Sequence, residues 1–342
     1  MLTIVTTSRN DDHGHNLTGR TQRHIDNLAE QADTFSIPIE YILVEWNPPD
    51  DHPPITDAVD MHPETPFWHP RVITVPPDLH YTFQNSGKIP LYQMIAKNVG
   101  IRRATGEFIL CTNIDIIIPD DLFAFITSPL LSPSAIYRTD RIDVGPDVPA
   151  AGKDAIQEYC RSHILRRNTP TSIDDYSLTP FWRYLHRARN AFKHRVGWYI
   201  YQIPKCYTLA SGDFQLLHRD EWMNLRGYPE MPVFSIHIDS LFQIQAHYSG
   251  MREVILPYPT YHIEHAIGTS LVPGGESTMY KNLVKNGVPF IPYVYFLDAN
   301  AEMKTGPYRN GKYSKDGDYW HWKDNTPDGW GLAGYNLPEV RG

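Results

Sequence analysis

The stretch LCTNIDIIIPDDL, residues 110–122, places Thr112, Asn113 and Asp115 inside an apolar run, directly ahead of three isoleucines. A carboxylate and an amide at a rigid strand end are oxygen donors, the ligand type that magnesium and manganese take. Farther along, YHIEHAIG (261–268) supplies His262 and His265 at i, i+3. On a helix that spacing would share one face, although a zinc-protease helix needs another spacing and a paired Glu. Other polar groups follow apolar runs in the same way: Thr7, Ser8 and Arg9 after LTIV, and Glu45 after YILV.

The elements that must position these groups are legible. LTIVTT (2–7), IEYILVEW (39–46), RVITV (71–75) and EFILCTNI (107–114) are short and nearly continuously apolar. Such strands are buried on both faces, as in a parallel α/β sheet. RTQRHIDNLAEQA predicts a helix through Ile25, Leu28, Ala29 and Ala32, and PLYQMIAKNVGIRRAT (90–105) one through Leu91, Ile95 and Val99. Ligands of open α/β sheets bind beyond the carboxyl ends of the strands. Ser8, Arg9, Glu45, Asn113 and Asp115 should therefore converge on one crevice. Downstream, HIDSLFQIQAHYSG (237–250) reads as a helix closed by Gly250, and REVILPYPTYHIEHAIG (252–268) as a strand followed by a His-bearing loop.

The whole chain sets bounds. Its 342 residues with 41% hydrophobic content suit one large α/β domain with insertions. A net charge of −8 excludes a general nucleic-acid partner, which needs a basic footprint. The charge is uneven: residues 151–205 hold ten Lys/Arg against four Asp/Glu, a local +6 that leaves −14 for the rest. Three widely spaced cysteines without a C-x-x-C argue against a disulfide framework or zinc site and for a reducing compartment. MLTIVTTSRND reads as a first strand and not as a signal peptide. No run approaches the ~18 apolar residues that span a bilayer. The expected location is cytoplasmic, at most membrane-peripheral.

AKNVGIRRATGEFILCTNIDIIIPDDL (96–122) resembles the core signature of nucleotide-sugar glycosyltransferases with the GT-A fold, in their family-two type. That signature has an Asn-x-Gly in a helix, a Gly-Glu opening a strand and an Asp-x-Asp at its end. Here these are Asn98 and Gly100, Gly106 and Glu107, and Asn113–Ile114–Asp115. GDFQLLHRDEWMNLRGYPE and IDSLFQIQAHYSG are similar to the later segments, so the resemblance covers most of residues 1–265. It implies a GT-A (Rossmann-like), mostly parallel sheet flanked by helices. It divides the chain into a donor-binding half (1–118), an acceptor and catalytic half (119–270) with a basic insertion (150–205), and an aromatic tail (271–342).

The resemblance also implies roles. A nucleoside-diphosphate sugar, with UDP as the guessed carrier, would donate its sugar to a hydroxyl acceptor such as a glycan or glycolipid. Thr7, Ser8 and Arg9 would pack on the nucleoside, Glu45 would accept a hydrogen bond from the base, and Lys97 or Asn98 would face the diphosphate. Asn113 and Asp115 would serve donor and metal, with Asn113 replacing the first carboxylate of the motif. His262, or in reserve His265, would complete the site of a divalent cation, manganese or magnesium. Asp239, eleven residues before Gly250, would be the general base of an inverting transfer. The alternative for Asp239 is a helix-terminus residue that caps free amides.

In FWRYLHRARNAFKHRVGWYIYQIP (181–204), Phe181, Leu185, Ala188 and Phe192 form one helical stripe among basic residues. The expected arrangement packs that stripe on the core and leaves the basic face in water. The functional alternative is a surface for a phosphate-bearing or lipid-linked acceptor, with Arg187 and Arg189 as contacts, or peripheral contact with an anionic membrane. Three other functions compete: a retaining transferase on the same fold, a sugar-nucleotide nucleotidyltransferase, and a non-catalytic carbohydrate-binding protein using the aromatic tail as its platform. TTSRNDDHGH, with its single Gly, fits the phosphate loop of a nucleotidyltransferase poorly.

Overall fold

A computed structural model describes residues 1–62, 64–201, 203–265, 275–305 and 321–342. In it the four apolar runs become β1 (Leu2–Ser8), β2 (Ile39–Trp46), β3 (Trp68–Val75) and β4 (Phe108–Thr112). They lie in parallel in the order β3-β2-β1-β4. The register Ser8↔Glu45 aligns the ends of β1 and β2. Between them run α1 (Leu17–Phe35), the single-turn helices α2 (Ile55–Ala58) and α3 (Pro77–His80), and α4 (Gln93–Arg103).

Side chains of a strand alternate between its faces, so a doubly covered sheet has two cores. Val5, Ile42 and Val44 pack with Ile95 and Val99 of α4 on one side. Ile4, Tyr41 and Leu43 pack with Ile25 and Leu28 of α1 on the other. The close seat of α4 explains Gly100: a Cβ there would lie 2.5 Å from Val5 Cγ1 and 3.3 Å from Val44 Cγ2.

After β4 come β5 (Ile116–Ile117), α5 (Asp120–Ile126), β6 (Ala135–Val144), α6 (Lys153–Ser162), β7 (Ile164–Asn168), β8 (Ile173–Asp175) and α7 (Pro180–Tyr201). The chain continues through β9 (Phe214–His218), α8 (Arg219–Leu225), α9 (Ile238–Tyr248), β10 (Arg252–Ile263), α10 (Gly275–Lys285), α11 (Tyr293–Thr305) and β11 (Glu339–Arg341). This is the expected α/β architecture, with a mixed sheet in place of a mostly parallel one. β9 is antiparallel to both β4 and β6, and β10 runs parallel to β6. Two reversals restore direction, so β6 and β10 end on the same side as β1, β2 and β4. The amino end of β9 meets them there.

One expectation fails. The apolar stripe of α7 does not enter the core: Phe181, Leu185 and Phe192 are 64%, 40% and 68% exposed. Among the described residues, the basic side of α7 reaches the body instead, where Arg183 and Arg187 approach Asp174 of β8. Of the tail's described aromatic residues, Tyr293, Tyr295 and Tyr335 are exposed. Trp322 and Trp330 are buried in the α4-side core, and β11 adds an antiparallel edge to β3. Residues 317–320, which open the aromatic run, lie outside the described residues.

Candidate active site and metal centre

β4 stops at Thr112, the chain turns through Asn113–Asp115, and β5 re-enters the sheet against β10 in the pairs Ile116↔His262 and Ile117↔Tyr261. The Ile263 N–H donates to the Asp115 carbonyl at 2.9 Å. This ladder, anchored by the fully buried Ile116, Ile117 and Ile118, sets His262 beside Asp115. His262 therefore sits on a strand and His265 just beyond it, so no helical face joins them. His265 Nε2 lies 3.2 Å and His262 Nε2 3.8 Å from Asp115 Oδ2. One ligand atom from each of the three falls within 4.8 Å of the others.

Several features fit this trio to a divalent cation. Asp115 Oδ1 and His265 Nδ1 are buried and have no hydrogen-bond partner among the described residues. His262 Nδ1–H donates to Asp143 Oδ1 at 3.1 Å, which fixes the ring with Nε2 toward Asp115. A carboxylate behind an imidazole is the usual support of a metal-ligating His. One carboxylate with two imidazoles suits manganese better than magnesium, which prefers an all-oxygen shell. Burial alone would raise the Asp115 pKa, but His262, His265 and Arg20 outweigh it and hold the carboxyl far below its ordinary range. Burial and Arg141 lower the His262 pKa, yet Asp115 and Asp143 leave it raised.

Asn113 anchors the middle of the site. Its Oδ1 accepts from Lys97 Nζ at 2.8 Å and from Gln93 Nε2 at 3.0 Å, and its Nδ2 donates to Asp213 Oδ1 at 2.6 Å. Lys97 is not the solvated lysine common on helices. It is fully buried and also donates to the Gly212 carbonyl at 2.7 Å. Burial lowers its pKa, against the attraction of Cys111, Asp213, Asp239 and Asp115. Arg141 of β6 completes the network, donating to Asp213 Oδ2 at 2.7 Å.

Asp239 lies in the first turn of α9. Its Oδ2 accepts from Ser211 Oγ at 2.7 Å and its Oδ1 from the Ser240 amide at 2.8 Å. The N-cap position belongs to His237, whose side chain makes no capping bond. Capping thus involves only one oxygen of Asp239. The other faces Ser211 and Gly212, where a Cβ on Gly212 would meet Asp239 Oδ2 at 3.2 Å.

The remaining expected residues separate. Thr7 and Ser8 end β1 and are buried, Thr7 donating to the Val44 carbonyl at 3.0 Å and Ser8 Oγ having no partner among the described residues. Arg9 donates to the Asn47 carbonyl at 2.8 Å and pairs with Asp11 at 2.6 Å, bracing the loops beyond β1 and β2. Glu45 is buried at the end of β2, where burial raises its pKa and its Oε1 accepts the Ile55 N–H at 2.7 Å. Asn98 faces away from its neighbour's network. It clasps the turn after α8, donating to the Tyr228 carbonyl at 2.8 Å and Glu230 Oε1 at 2.9 Å while accepting the Tyr228 N–H. Its amide is committed there, which corrects the expectation that it faces a diphosphate. Arg187 and Arg189 are both exposed, but Arg187 approaches Asp174 at 3.7 Å and Arg189 lies about 160° farther around the helix, so the two do not form one contact surface.

Sequence reasoning missed Arg20, Asp213, Arg141 and Asp143. Arg20 reaches from α1 to Asp115 Oδ2 at 3.2 Å. Asp213 was inside a quoted motif, GDF, and could have been found by its carboxylate directly ahead of a strand. Arg20, Arg141 and Asp143 carry no local signal, because a polar residue within an amphipathic helix is ordinary and the pairing of β6 between β7 and β10 is not visible in its own sequence.

No family model and no curated protein sequence matches the chain. Solved structures do. The mannosyltransferase PcManGT from Pyrobaculum calidifontis, in complex with GDP-Man and Mn2+, is 15% identical over 89% of this chain and 70% of its own, with a TM-score of 0.43. GalNAc-T7 with UDP, GalNAc and Mn2+ is 11% identical over 91% of this chain and 53% of its own, with a TM-score of 0.46. S. aureus TarS 1–349 is 14% identical over 77% of this chain and 60% of its own, with a TM-score of 0.40. The chain is thus similar to each over most of its own length, while spanning between about half and seven-tenths of theirs.

Proposed function

We propose that the chain is a metal-dependent glycosyltransferase that moves a sugar from a nucleoside-diphosphate donor to a hydroxyl acceptor, with inversion. The observation that supports this most is the trio Asp115, His262 and His265 at the strand ends, linked from His262 through Asp143, Arg141, Asp213 and Asn113 to Lys97, which donates to the Gly212 carbonyl beside Ser211, the residue that donates to Asp239. Metal ligands and a candidate base thus share one network. A divalent cation held by the trio would offset diphosphate charge and favour its departure. Lys97 and Asn113 orient the donor side of the cleft. Ser8 and Glu45, at the neighbouring strand ends, offer polar groups to the nucleoside, for which uridine is the first choice.

Asp239 takes the proton from the acceptor hydroxyl as the new bond forms. A sugar hydroxyl is a poor nucleophile at neutral pH, and such general-base help contributes typically ~10²–10⁴-fold. Ser211 holds the carboxylate oxygen in place for that transfer. The acceptor is a glycan or lipid-linked glycan. Three buried free cysteines suit a reducing, cytoplasmic setting, and no described helix is long and apolar enough to cross a membrane.

The test is release of UDP or GDP from a panel of sugar nucleotides, with and without manganese. Manganese-dependent release with one donor supports the reading, and no release from any donor, with or without manganese, would sink it. The anomeric configuration of the product separates inversion from retention.

A further inference from the structure

α7 is amphipathic, and its polar face is the one attached to the protein. Arg183 Nε lies 3.1 Å from Asp174 Oδ1 and Arg187 Nη1 3.7 Å from Oδ2, while the Arg183 guanidinium stacks 4.7 Å over the Tyr176 ring. A helix turns about 100° per residue, so Phe181, Leu185 and Phe192 fall within about 40° of one another, roughly opposite Arg183. They face away from the body. Trp182 and Tyr184 on the flanks are 60% and 69% exposed. An apolar, aromatic face turned outward is a surface waiting for a partner.

The charge around that face selects the partner. From Pro180 to Tyr201 the helix has five Lys/Arg and no Asp or Glu. Arg189, Lys193 and Arg195 are exposed, and Asp174 takes up none of them. A second copy docked helix to helix would set these positive charges against their own kind. An anionic bilayer complements them: apolar side chains enter the boundary of headgroups and acyl chains, and flanking cations reach the phosphates.

We propose that α7 is a membrane-interface helix that holds this protein on an anionic lipid surface through Phe181, Leu185 and Phe192, with Arg189, Lys193 and Arg195 at the phosphates. The helix lies near the site's edge. β8 pairs with β7, whose Arg166 holds Asp143 behind His262. The inference stands on α7 alone and does not depend on sugar transfer.

The experiment is co-sedimentation of the full chain with phosphatidylcholine vesicles, with and without 30 mol% phosphatidylglycerol, in low and high salt. No donor or acceptor is added, so the outcome is separate from any transferase assay. Binding should require the anionic lipid and weaken with salt. Each interfacial cation contributes about five-fold to such partitioning, so Arg189→Glu/Lys193→Glu should lower it at least 20-fold. Phe181→Ser/Phe192→Ser should lower it at least ten-fold with an unchanged thermal midpoint, since both rings are already in solvent. Absence of binding by the wild-type chain, or equal binding by the variants, overturns the proposal. So does a dimer in sedimentation velocity that Phe181→Ser/Phe192→Ser dissolves while vesicle binding persists unchanged.

Discussion

Asp115→Asn separates a metal ligand from a structural carboxylate, because it preserves shape and removes one charge. Asp115 Oδ2 lies 3.2 Å from Arg20 Nη1, with both side chains at most a tenth exposed. At an effective dielectric constant of 20, a pair at that distance interacts by about 5 kcal/mol before solvation is counted. Removing one partner of a buried pair typically costs about 3–5 kcal/mol. Unfolding entropy is about 2.1 cal/mol/K per residue, or about 0.7 kcal/mol/K for 342 residues. The variant should therefore melt about 4–7 °C below wild type without metal. Manganese at 100 times its Kd should add about 2.7 kcal/mol, or about 4 °C, to wild type. The variant should show no such rise. The assay is thermal unfolding across a manganese titration, with calorimetric binding alongside. A variant that gains the full wild-type increment would remove Asp115 from the ligand set, whatever its activity.

Three other outcomes follow from the same geometry. Asp239→Asn can still accept the Ser240 N–H through Oδ1 and donate its amide to Ser211 Oγ, but it cannot take a proton, so it should bind donor normally and turn over at least ~10²-fold more slowly; a near-wild-type rate would leave Asp239 only its place in the helix turn. Gly100→Ala gains about 1 kcal/mol of helix propensity but drives a methyl into Val5, an overlap that costs about 1–3 kcal/mol, and the thermal midpoint should fall by up to about 3 °C; a higher midpoint would show that α4 can shift. Burial pushes the Glu230 carboxyl up to about 7 from 4.5, so its stabilising contribution is complete below about pH 4.5 and is lost as pH rises through about 7. Glu230→Gln keeps the acceptor for Asn98 and Gly331, and between pH 5 and 8 it should remove up to about 3 kcal/mol of the wild-type decline in unfolding free energy; an unchanged slope would mean that Glu230 does not titrate there.

The central strands were legible because a doubly buried strand leaves an uninterrupted apolar run, and β2 was delimited to the residue. Asp115 was legible because a carboxylate is anomalous in such a run. α7 was read correctly as an amphipathic helix, yet its orientation was inverted. A hydrophobic stripe states which side chains avoid water and not whether the protein has a surface to receive them. Arg183 and Arg187 bind Asp174, and that pairing across the fold turned the stripe outward.

The sequence by itself determined the α/β alternation, the strand ends that carry polar groups, and two of the residues that meet in the site, Asn113 and Asp115. These are local properties: periodicity, an apolar run and a polar interruption. Tertiary structure alone decided that His265 joins His262 at Asp115, that Lys97 is buried while Asn98 clasps a distant turn, and that Arg20, Asp143 and Asp213 belong to the site at all. Those outcomes depend on strand register and on the two reversals through β9 that bring β6 and β10 to the same end as β4. Register is fixed by contacts between residues far apart in the chain, about which no short stretch carries information.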